Sequence, residues 1–343
     1  MKHEFAKTIG AGFKDKDKLI SQVARHLAKE RPNDRQVDCI HPSEAAHEHW
    51  CQRATYYRID GVEPEVMPRG LAMEMVFETG HDAHRKWQNW FWEMGSLKGA
   101  WYCLACKTTW EDTSPRSCPN CDADTSLIQY AEVPVHNDHY LIAGKSDGDV
   151  TRADGSETLI EIKTIGVGTI RYEAPNLLAK YTYNHTDLDG KIRSGVDWQS
   201  LWNGIRRPFS SHIRQGMLYC FCAEKSEITY IYDPKFVTAY PKEFTVKYNE
   251  ELIEDILKQC LTIKDALEKG KPPKRPFWAE TSCKTCKGCP FKKECWGDRN
   301  KVSRFDGADF AEEVGSQSGV AEAEPEPAKK ARVRFTEVAP EHY

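Results

Sequence analysis

Two carboxylates and a lysine are predicted to meet on one face of a β-hairpin between Gly144 and Thr164. Ala153-Asp154-Gly155 fits a three-residue hairpin loop with glycine at the left-handed position. A loop at that point places Asp147 opposite Glu161, and Lys163 shares the face of Glu161 because side chains two apart in a strand point the same way. Carboxylate oxygens suit Mg²⁺ or Mn²⁺, which lowers the pKa of bound water and neutralises charge on a phosphate. Lysine would orient that water or meet the phosphate as a point charge. The alternative is a solvated hairpin rich in charge.

Thirteen cysteines are the second feature with chemical consequences. The sequence has no apolar run long enough to span a bilayer and no N-terminal signal peptide, so we expect a soluble, cytoplasmic protein without membrane contact. Cysteines in that setting favour metal sites over disulfides. Cys103-x2-Cys106 and Cys118-x2-Cys121 form two knuckles in a short polar segment, which predicts a Cys₄ zinc ribbon over residues 99–126. Free or redox-active cysteines are the alternative.

A further cysteine cluster lies near the end of the chain, at residues 283–295. Its members are Cys283, Cys286, Cys289 and Cys295. Thiols at this spacing without a secretory context indicate metal ligands. The spacing leaves open whether the metal is iron–sulfur or zinc. It also leaves open whether the cluster binds the metal alone or through three of its members together with Cys51.

Composition limits the class of protein and its partners. The chain has 343 residues, 40% of them hydrophobic, which suits one main domain with additions. Its formal net charge is -4, and residues 303–343, with nine acidic and five basic side chains, account for all of it. That tail is low in large apolar residues and is predicted to be disordered. The body is neutral, so nucleic-acid binding would need local basic patches.

Hydrophobic periodicity predicts the helices and strands that must position the candidate site residues. In the N-terminal arm, residues 1–42, a docking helix is predicted from Leu19, Ile20, Val23 and Leu27. One further helix is predicted to begin at Ser43 and to carry Cys51, and another covers 71–95 and contains His84. A third covers 211–223 with Gln215 and Tyr219 on one face, and a fourth runs from Asn249 to Lys269. Strands are predicted over 127–135, which contains Glu132, and over 139–152, 157–164, 227–233 and 243–248. The segment 165–210 interleaves basic and aromatic residues, which is typical either of a single-strand-binding surface or of a solvated loop.

The order of four short motifs narrows these interpretations. Gly80-x3-His84, Gly144-x2-Asp147, Glu161-x-Lys163 and Gln215-x3-Tyr219 follow one another on a helix, two strands and a helix. This order resembles the RecB-type nucleases of the PD-(D/E)xK superfamily. The setting Cys51-x-Arg-x2-Tyr-Tyr, with Cys286-x2-Cys289-x5-Cys295, is similar to the iron–sulfur branch. That branch includes the CRISPR-associated adaptation exonucleases and the AddB nuclease domain. The resemblance covers roughly residues 43–298.

The resemblance implies an α/β fold with a restriction-endonuclease-like core, in which helices flank a central mixed sheet. The nuclease domain would cover residues 43–302, with the zinc ribbon as an insertion and an iron–sulfur-stapled helical region. The implied ligands of a catalytic Mg²⁺ or Mn²⁺ are His84, Asp147, Glu161 and the backbone carbonyl of Ile162. Lys163 would position or activate the attacking water, and Gln215 and Tyr219 would help hold the DNA. The implied ligands of a [4Fe–4S] cluster are Cys51, Cys286, Cys289 and Cys295.

We therefore expect a metal-dependent DNA exonuclease that hydrolyses single-stranded ends in recombination, repair or CRISPR-type processing, in a phage or its host. A helicase or a recombination or adaptation protein would be its partner. The alternatives are a flap or structure-specific endonuclease and a non-catalytic DNA-binding scaffold with two metal modules. Two features depart from the pattern, because Ser146 stands where the superfamily has proline and Cys283 is an additional thiol. The sequence has no P-loop, so we do not expect a helicase–nuclease fusion.

Overall fold

A mixed β-sheet forms the centre of the fold. The computed structural model describes residues 18–27, 36–65 and 70–297. The predicted tail at 303–343 lies outside the described residues, as does most of the N-terminal arm. The strands are β1 (Leu97–Cys103), β2 (Thr109–Thr113), β3 (Ile128–Tyr130), β4 (Val133–Asn137), β5 (Ile142–Ser146), β6 (Gly148–Thr151), β7 (Glu157–Ile165), β8 (Thr182–Thr186), β9 (Ile192–Val196), β10 (Glu227–Pro234) and β11 (Lys242–Lys247).

The strand order of the central sheet is β11-β10-β7-β6-β1-β2, and β3 also pairs with β1. Strands β7 and β10 run parallel, whereas β10–β11, β6–β7 and the three pairs made by β1 are antiparallel. Strands β4 and β5 form one separate hairpin, and β8 and β9 form another.

Helices cover both faces of the central sheet. They are α1 (Leu19–Leu27), α2 (Pro42–Ala45), α3 (Gln52–Ile59), α4 (Leu71–Glu93), α5 (Val167–Glu173), α6 (Pro175–Lys180), α7 (Trp198–Gly204), α8 (Ser210–Ala223), α9 (Glu254–Glu268), α10 (Lys284–Lys287) and α11 (Lys292–Trp296). The predicted central mixed sheet flanked by helices is confirmed. Among the described residues, no helix combines the length and apolar character that a bilayer crossing requires.

Strand β7 lies in the middle of the sheet, and its alternating side chains serve two apolar clusters. Ile160 and Ile162 belong to the cluster against which Trp87 of α4 packs. Leu159 and Ile165 belong to the cluster that contains Met217 of α8. Glu161 shares the face of Leu159 and Ile165 and therefore points towards α8. The sheet thus separates α4 from α8 and presents polar groups of β7 to both.

The strand predicted over 127–135 is divided in the structure. Glu132 has a left-handed backbone, with a φ of 66°, and separates β3 from β4. The strand predicted over 139–152 is divided at Asp147, which lies between β5 and β6. The predicted three-stranded meander is therefore wrong, because β4 and β5 form a hairpin separate from the central sheet and β6 pairs with β7 and β1 instead.

The predicted helix from Ser43 through Cys51 is also divided. Helix α2 has His41 as its N-cap and ends at Ala45, and Cys51 is the N-cap residue of the next helix, α3. Trp50 stabilises this second start, because its indole N–H donates to the Thr55 hydroxyl across 2.9 Å. The prediction that Cys51 lies inside a helix is therefore wrong.

Several further predictions differ from the structure in detail. Asn249 caps a 3-10 turn at Glu250–Leu252, and the long helix α9 starts only at Glu254. The segment 165–210 is not a simple loop, since it contains α5, α6, the β8–β9 hairpin and α7. Its predicted role in DNA binding stays a prediction.

The N-terminal arm contains the predicted helix, α1, but not the predicted docking face. Its buried residues are Ser21 and Ala24, whereas Leu19, Ile20 and Val23 are exposed. The predicted docking face is wrong, because periodicity identifies an apolar stripe on a helix but does not show whether another surface covers it. The chain enters the main core before residue 43, since Ile40 is fully buried and pairs with Ile142.

Candidate active site

The β6–β7 hairpin brings Asp147 and Glu161 together as predicted from the loop. Gly148 pairs with Ile160, so the same register places Asp147 opposite Glu161. Asp147 Oδ2 accepts a hydrogen bond from the Ile162 backbone N–H across 2.6 Å. Both acids are buried, with 7% and 2% of their surfaces exposed. Two buried carboxylates therefore come from paired positions of one hairpin, which is costly unless a cation or proton accompanies them.

His84 reaches this pair from helix α4. Its Nε2 lies 3.0 Å from the Ile162 carbonyl oxygen, and its Nδ1 lies 3.3 Å from Asp147 Oδ1. Burial lowers the pKa of His84 to about 4, and the charge of Lys163 adds to this effect. The imidazole is therefore neutral at ordinary pH. A carbonyl can only accept, so Nε2 carries the proton and the Nδ1 lone pair faces Asp147.

Glu161 lies in a hydrogen-bond network that leaves one of its oxygens without a partner. Its Oε1 accepts from the Gln215 amide across 2.8 Å and lies 2.6 Å from the Lys163 ammonium. The Gln215 amide also donates to the Tyr219 hydroxyl, while Lys163 donates to Gln215 Oε1 across 3.0 Å. Glu161 Oε2 is buried and, among the residues that the structure describes, has no hydrogen-bond partner. Burying a carboxylate oxygen without a hydrogen bond costs free energy, and binding a cation would offset that cost.

Lys163 keeps its proton in this setting. Burial lowers the pKa of the ammonium, but the carboxylates of Glu161 and Asp147 outweigh it, and the pKa is raised above its usual value. A protonated lysine cannot act as a general base. It can donate hydrogen bonds to a water or to a phosphate oxygen.

Glu132 is a site residue that the sequence interpretation placed only within a strand. One ligand atom from each of His84, Glu132 and Asp147 lies within 4.8 Å of the others. Burial raises the pKa of Glu132, whereas Lys145 and a hydrogen bond from Gln88 lower it in part. Its left-handed backbone costs free energy that surrounding contacts must offset, which is typical of functional positions. The sequence signal that could have found it is the isolated acid directly before the β4 residues Val133 and Pro134.

The donor set fits a hard divalent cation. Carboxylate and carbonyl oxygens with one imidazole are ligands that Mg²⁺ and Mn²⁺ accept. Octahedral Mg²⁺ bonds of about 2.1 Å at right angles place neighbouring ligand atoms about 3.0 Å apart. His84 Nδ1, which carries the free lone pair, and Asp147 Oδ1 lie 3.3 Å apart, close to that separation.

The four cysteines of the predicted ribbon come together. The Sγ atoms of Cys103 and Cys121 are 3.7 Å apart, and those of Cys106 and Cys118 are 3.6 Å apart. Tetrahedral bonds of about 2.3 Å from sulfur to zinc place neighbouring sulfurs about 3.8 Å apart. The geometry therefore fits one tetrahedral ion. The ribbon is not a detached insertion, because β1 belongs to the central sheet and pairs with β6.

The remaining cysteines form a different kind of site. A cavity of about 230 Å³ is lined by Cys51, Cys286, Cys289 and Cys295. Cys283 is absent from the lining of that cavity, and its Sγ accepts from the Cys286 backbone N–H across 3.2 Å, which caps α10. Within the described residues, the four lining sulfurs are not packed as closely as those of the ribbon. The cavity has room for a group larger than one ion.

Comparisons with known proteins find solved structures of similar fold at low sequence identity. No protein-family model and no curated protein matches the chain. An alkaline exonuclease (LHK-Exo) from Laribacter hongkongensis is 12% identical, with a TM-score of 0.38, over 68% of this chain and 90% of its own. LHK-Exo in complex with dAMP matches at 12% identity and a TM-score of 0.37 over the same shares, 68% and 90%. SSO0001 is 12% identical, with a TM-score of 0.33, over 80% of this chain and 95% of its own.

Proposed function

We propose that this protein is a metal-dependent nuclease that hydrolyses phosphodiester bonds. The observation that carries the proposal is the buried Glu161 Oε2, an acceptor without a partner among the described residues, beside the Lys163 ammonium. His84, Glu132 and Asp147 offer ligand atoms within 4.8 Å of one another, and the charge of Glu161 acts on Asp147, so a place for a cation lies near the fixed positive charge of Lys163. Phosphodiester hydrolysis needs both, because negative charge develops on the phosphate in the transition state.

The residues that would hold a Mg²⁺ or Mn²⁺ ion are His84, Asp147, Glu161, Glu132 and the carbonyl of Ile162. Such an ion would supply charge neutralisation at the phosphate and a lowered pKa for a bound water. Lys163 would orient the water or a phosphate oxygen through its N–H groups. Gln215 would hold Lys163 and Glu161 in place, since its amide contacts both, and Tyr219 would support Gln215.

The finer activity we propose is exonucleolytic hydrolysis of single-stranded DNA ends, in recombination, repair or CRISPR-type processing. It rests on the resemblance of the motif order to the RecB-type nucleases. We further propose zinc at Cys103, Cys106, Cys118 and Cys121, on the strength of the sulfur separations. A [4Fe–4S] cluster at Cys51, Cys286, Cys289 and Cys295 is supported by a cavity too large for one ion.

Two substitutions at the acid pair test the proposal. Asp147→Asn and Glu161→Gln keep shape but remove charge, and each should lower Mn²⁺-dependent release of nucleotides from an end-labelled single strand on the order of 100-fold or more. Asp154→Asn is the matched control, since Asp154 lies in the exposed loop of the same hairpin. It should retain activity.

Full activity in Asp147→Asn or Glu161→Gln would contradict the nuclease proposal. A closed circular single strand tests the exonuclease part separately, because an exonuclease has no end at which to start. Cleavage of the circle at the rate of the linear strand would identify an endonuclease instead.

A further inference from the structure

A cleft of about 350 Å³ lies between helix α4 and strands β1 and β3, of which β1 leads into the ribbon. Three aromatic rings line it, Trp92 from α4 and Trp101 and Tyr130 from the strands. Trp101 is buried between the other two, with centroids 5.3 Å from Trp92 and 4.9 Å from Tyr130. Gly99 makes room for the outer ring, because a Cβ there would lie 2.6 Å from the Tyr130 hydroxyl. The volume falls at the lower end of the range for small-ligand sites, about 300–1,000 Å³.

The rim of this cleft carries polar groups that are free to bind a ligand. Asn89 of α4 and Gln129 of β3 line the cleft and are exposed. Across the described residues, neither side-chain amide has a protein hydrogen-bond partner. Arg85 also lines the cleft and forms an exposed ion pair with Asp82, which a phosphate can replace at little cost. In the part of the chain that the structure describes, no carboxylate lines the cleft.

The cleft adjoins the candidate active site through one shared side chain, Gln88. Gln88 lines it and donates through its side-chain amide to the Asp147 backbone carbonyl across 2.9 Å. Arg85 directly follows His84 on α4, and Tyr130 lies two residues before Glu132. A strand whose phosphate lies at the acids would therefore have a neighbouring base at the mouth of the cleft.

We propose that this cleft binds a nucleobase of the strand being hydrolysed, next to the scissile phosphate. Aromatic rings stack on bases of every type, and amides of Asn and Gln match the hydrogen-bonding edges of bases. The base contacts the rings of Trp92 and Tyr130, Asn89 and Gln129 bind its edge, and Arg85 contacts an adjacent phosphate. The assignment rests on the proposed function, and it makes the zinc ribbon a part of the substrate site.

Strands that carry one abasic residue at successive positions test this inference. For the native chain, kcat/KM should fall roughly 5- to 100-fold when the abasic residue occupies one defined position beside the cut, as expected for the loss of one stacked base. Asn89→Ala and Gln129→Ala should lower kcat/KM on the intact strand and respond less to that abasic residue. Gln259→Ala removes a partly exposed amide from α9, outside both the cleft and the segment 165–210, and is the matched control, with unchanged behaviour.

A substrate without a base separates the two proposals. Metal-dependent hydrolysis of bis(p-nitrophenyl) phosphate reports on the chemistry alone and should be unchanged in Asn89→Ala and Gln129→Ala. If the native chain hydrolyses it but shows the same small abasic effect at every position, the cleft inference is overturned and the proposed function stands.

If no substrate is hydrolysed, the proposed function fails. Crosslinking then tests whether the cleft binds a base independently of hydrolysis. A single strand containing 5-iodouracil is irradiated on the full chain in Ca²⁺ and the crosslinked peptide is identified by mass spectrometry. A crosslink at Tyr130 or Trp92 supports the inference. Crosslinks confined to other surfaces overturn it.

Discussion

At the scale of single residues, a proton and a metal ion compete for Asp147. Burial raises the pKa of Asp147 well above its ordinary value, and the neighbouring Glu161 raises it further. His84 is neutral above its lowered pKa of about 4, so it is ready to act as a ligand over the whole neutral range. Without an ion, a protonated Asp147 would donate a hydrogen bond to the lone pair of His84 Nδ1.

We therefore predict that Mn²⁺ affinity rises with pH through the acid range, up to the raised pKa of Asp147. The carboxylate must lose its proton to become a ligand, and a raised pKa means that it holds the proton to higher pH than an ordinary aspartate. Calorimetry in two buffers of different ionisation enthalpy should show about one proton released per ion bound below that pKa. Asp147→Asn should abolish both the proton release and most of the affinity. An affinity that is constant from about pH 5 to pH 8 would contradict this assignment.

At the scale of elements, helix α8 lies unusually close to strand β10, and this places Gln215 against Glu161. A Cβ at Gly216 would overlap the hydroxyl of Tyr230, which is fully buried and donates to the Ile213 carbonyl across 3.2 Å. Gly80 in α4 is the opposite case, because a Cβ there would meet no heavy atom within 4 Å.

Alanine at these two glycines should therefore change stability in opposite directions. Gly216→Ala should lower the free energy of unfolding by about 1–3 kcal/mol through overpacking, and should also lower hydrolysis, although it removes no polar group. Gly80→Ala should raise the free energy of unfolding by up to about 1 kcal/mol, because alanine favours helix. Urea unfolding measures both. A stabilised Gly216→Ala would show that α8 can move away from β10 without loss.

The elements also show which features a sequence pattern can predict. The Asp147–Glu161 pairing follows from a tight loop and the two-residue period of strands, and Gln215 and Tyr219 follow from helical spacing. Glu132 could not be found as a ligand, because its left-handed turn interrupts a strand pattern and its proximity to His84 depends on long-range packing. The exclusion of Cys283 from the cysteine cavity likewise depends on how α10 folds against Cys51.

At the scale of the whole molecule, the second cysteine site joins the two ends of the described chain. Cys51 precedes α3, whereas the other three lining cysteines lie near the C-terminal end. The same two regions also share protein contacts, since Arg53 donates to the Pro273 carbonyl and the Glu65 N–H donates to the Pro290 carbonyl. A metal group in the cavity would cross-link segments that are far apart in sequence, and its binding energy would add to folding stability.

Two neighbouring cysteines should therefore respond differently to substitution. Cys286→Ala should lose the bound metal group and lower the Tm by roughly 10 °C or more, because the fold loses a cross-link. Cys283→Ala removes only a helix cap and should keep the metal content, with a loss of about 1 kcal/mol. Iron, sulfide and zinc analysis with thermal unfolding measures both effects. Equal metal content in the two variants would refute the assignment of the four ligands.

Because β7 and β10 pair in parallel, the two halves of the candidate site form at different stages of folding. Asp147 and Glu161 meet as soon as a local hairpin closes, an event on the order of microseconds. Gln215 arrives only after the chain between β7 and β10 has folded back over the sheet, and such non-local pairing is slow. The nascent site is therefore a pair of facing carboxylates before α8 joins it. Docking of α8 is the step at which we expect folding of this chain to be slowest.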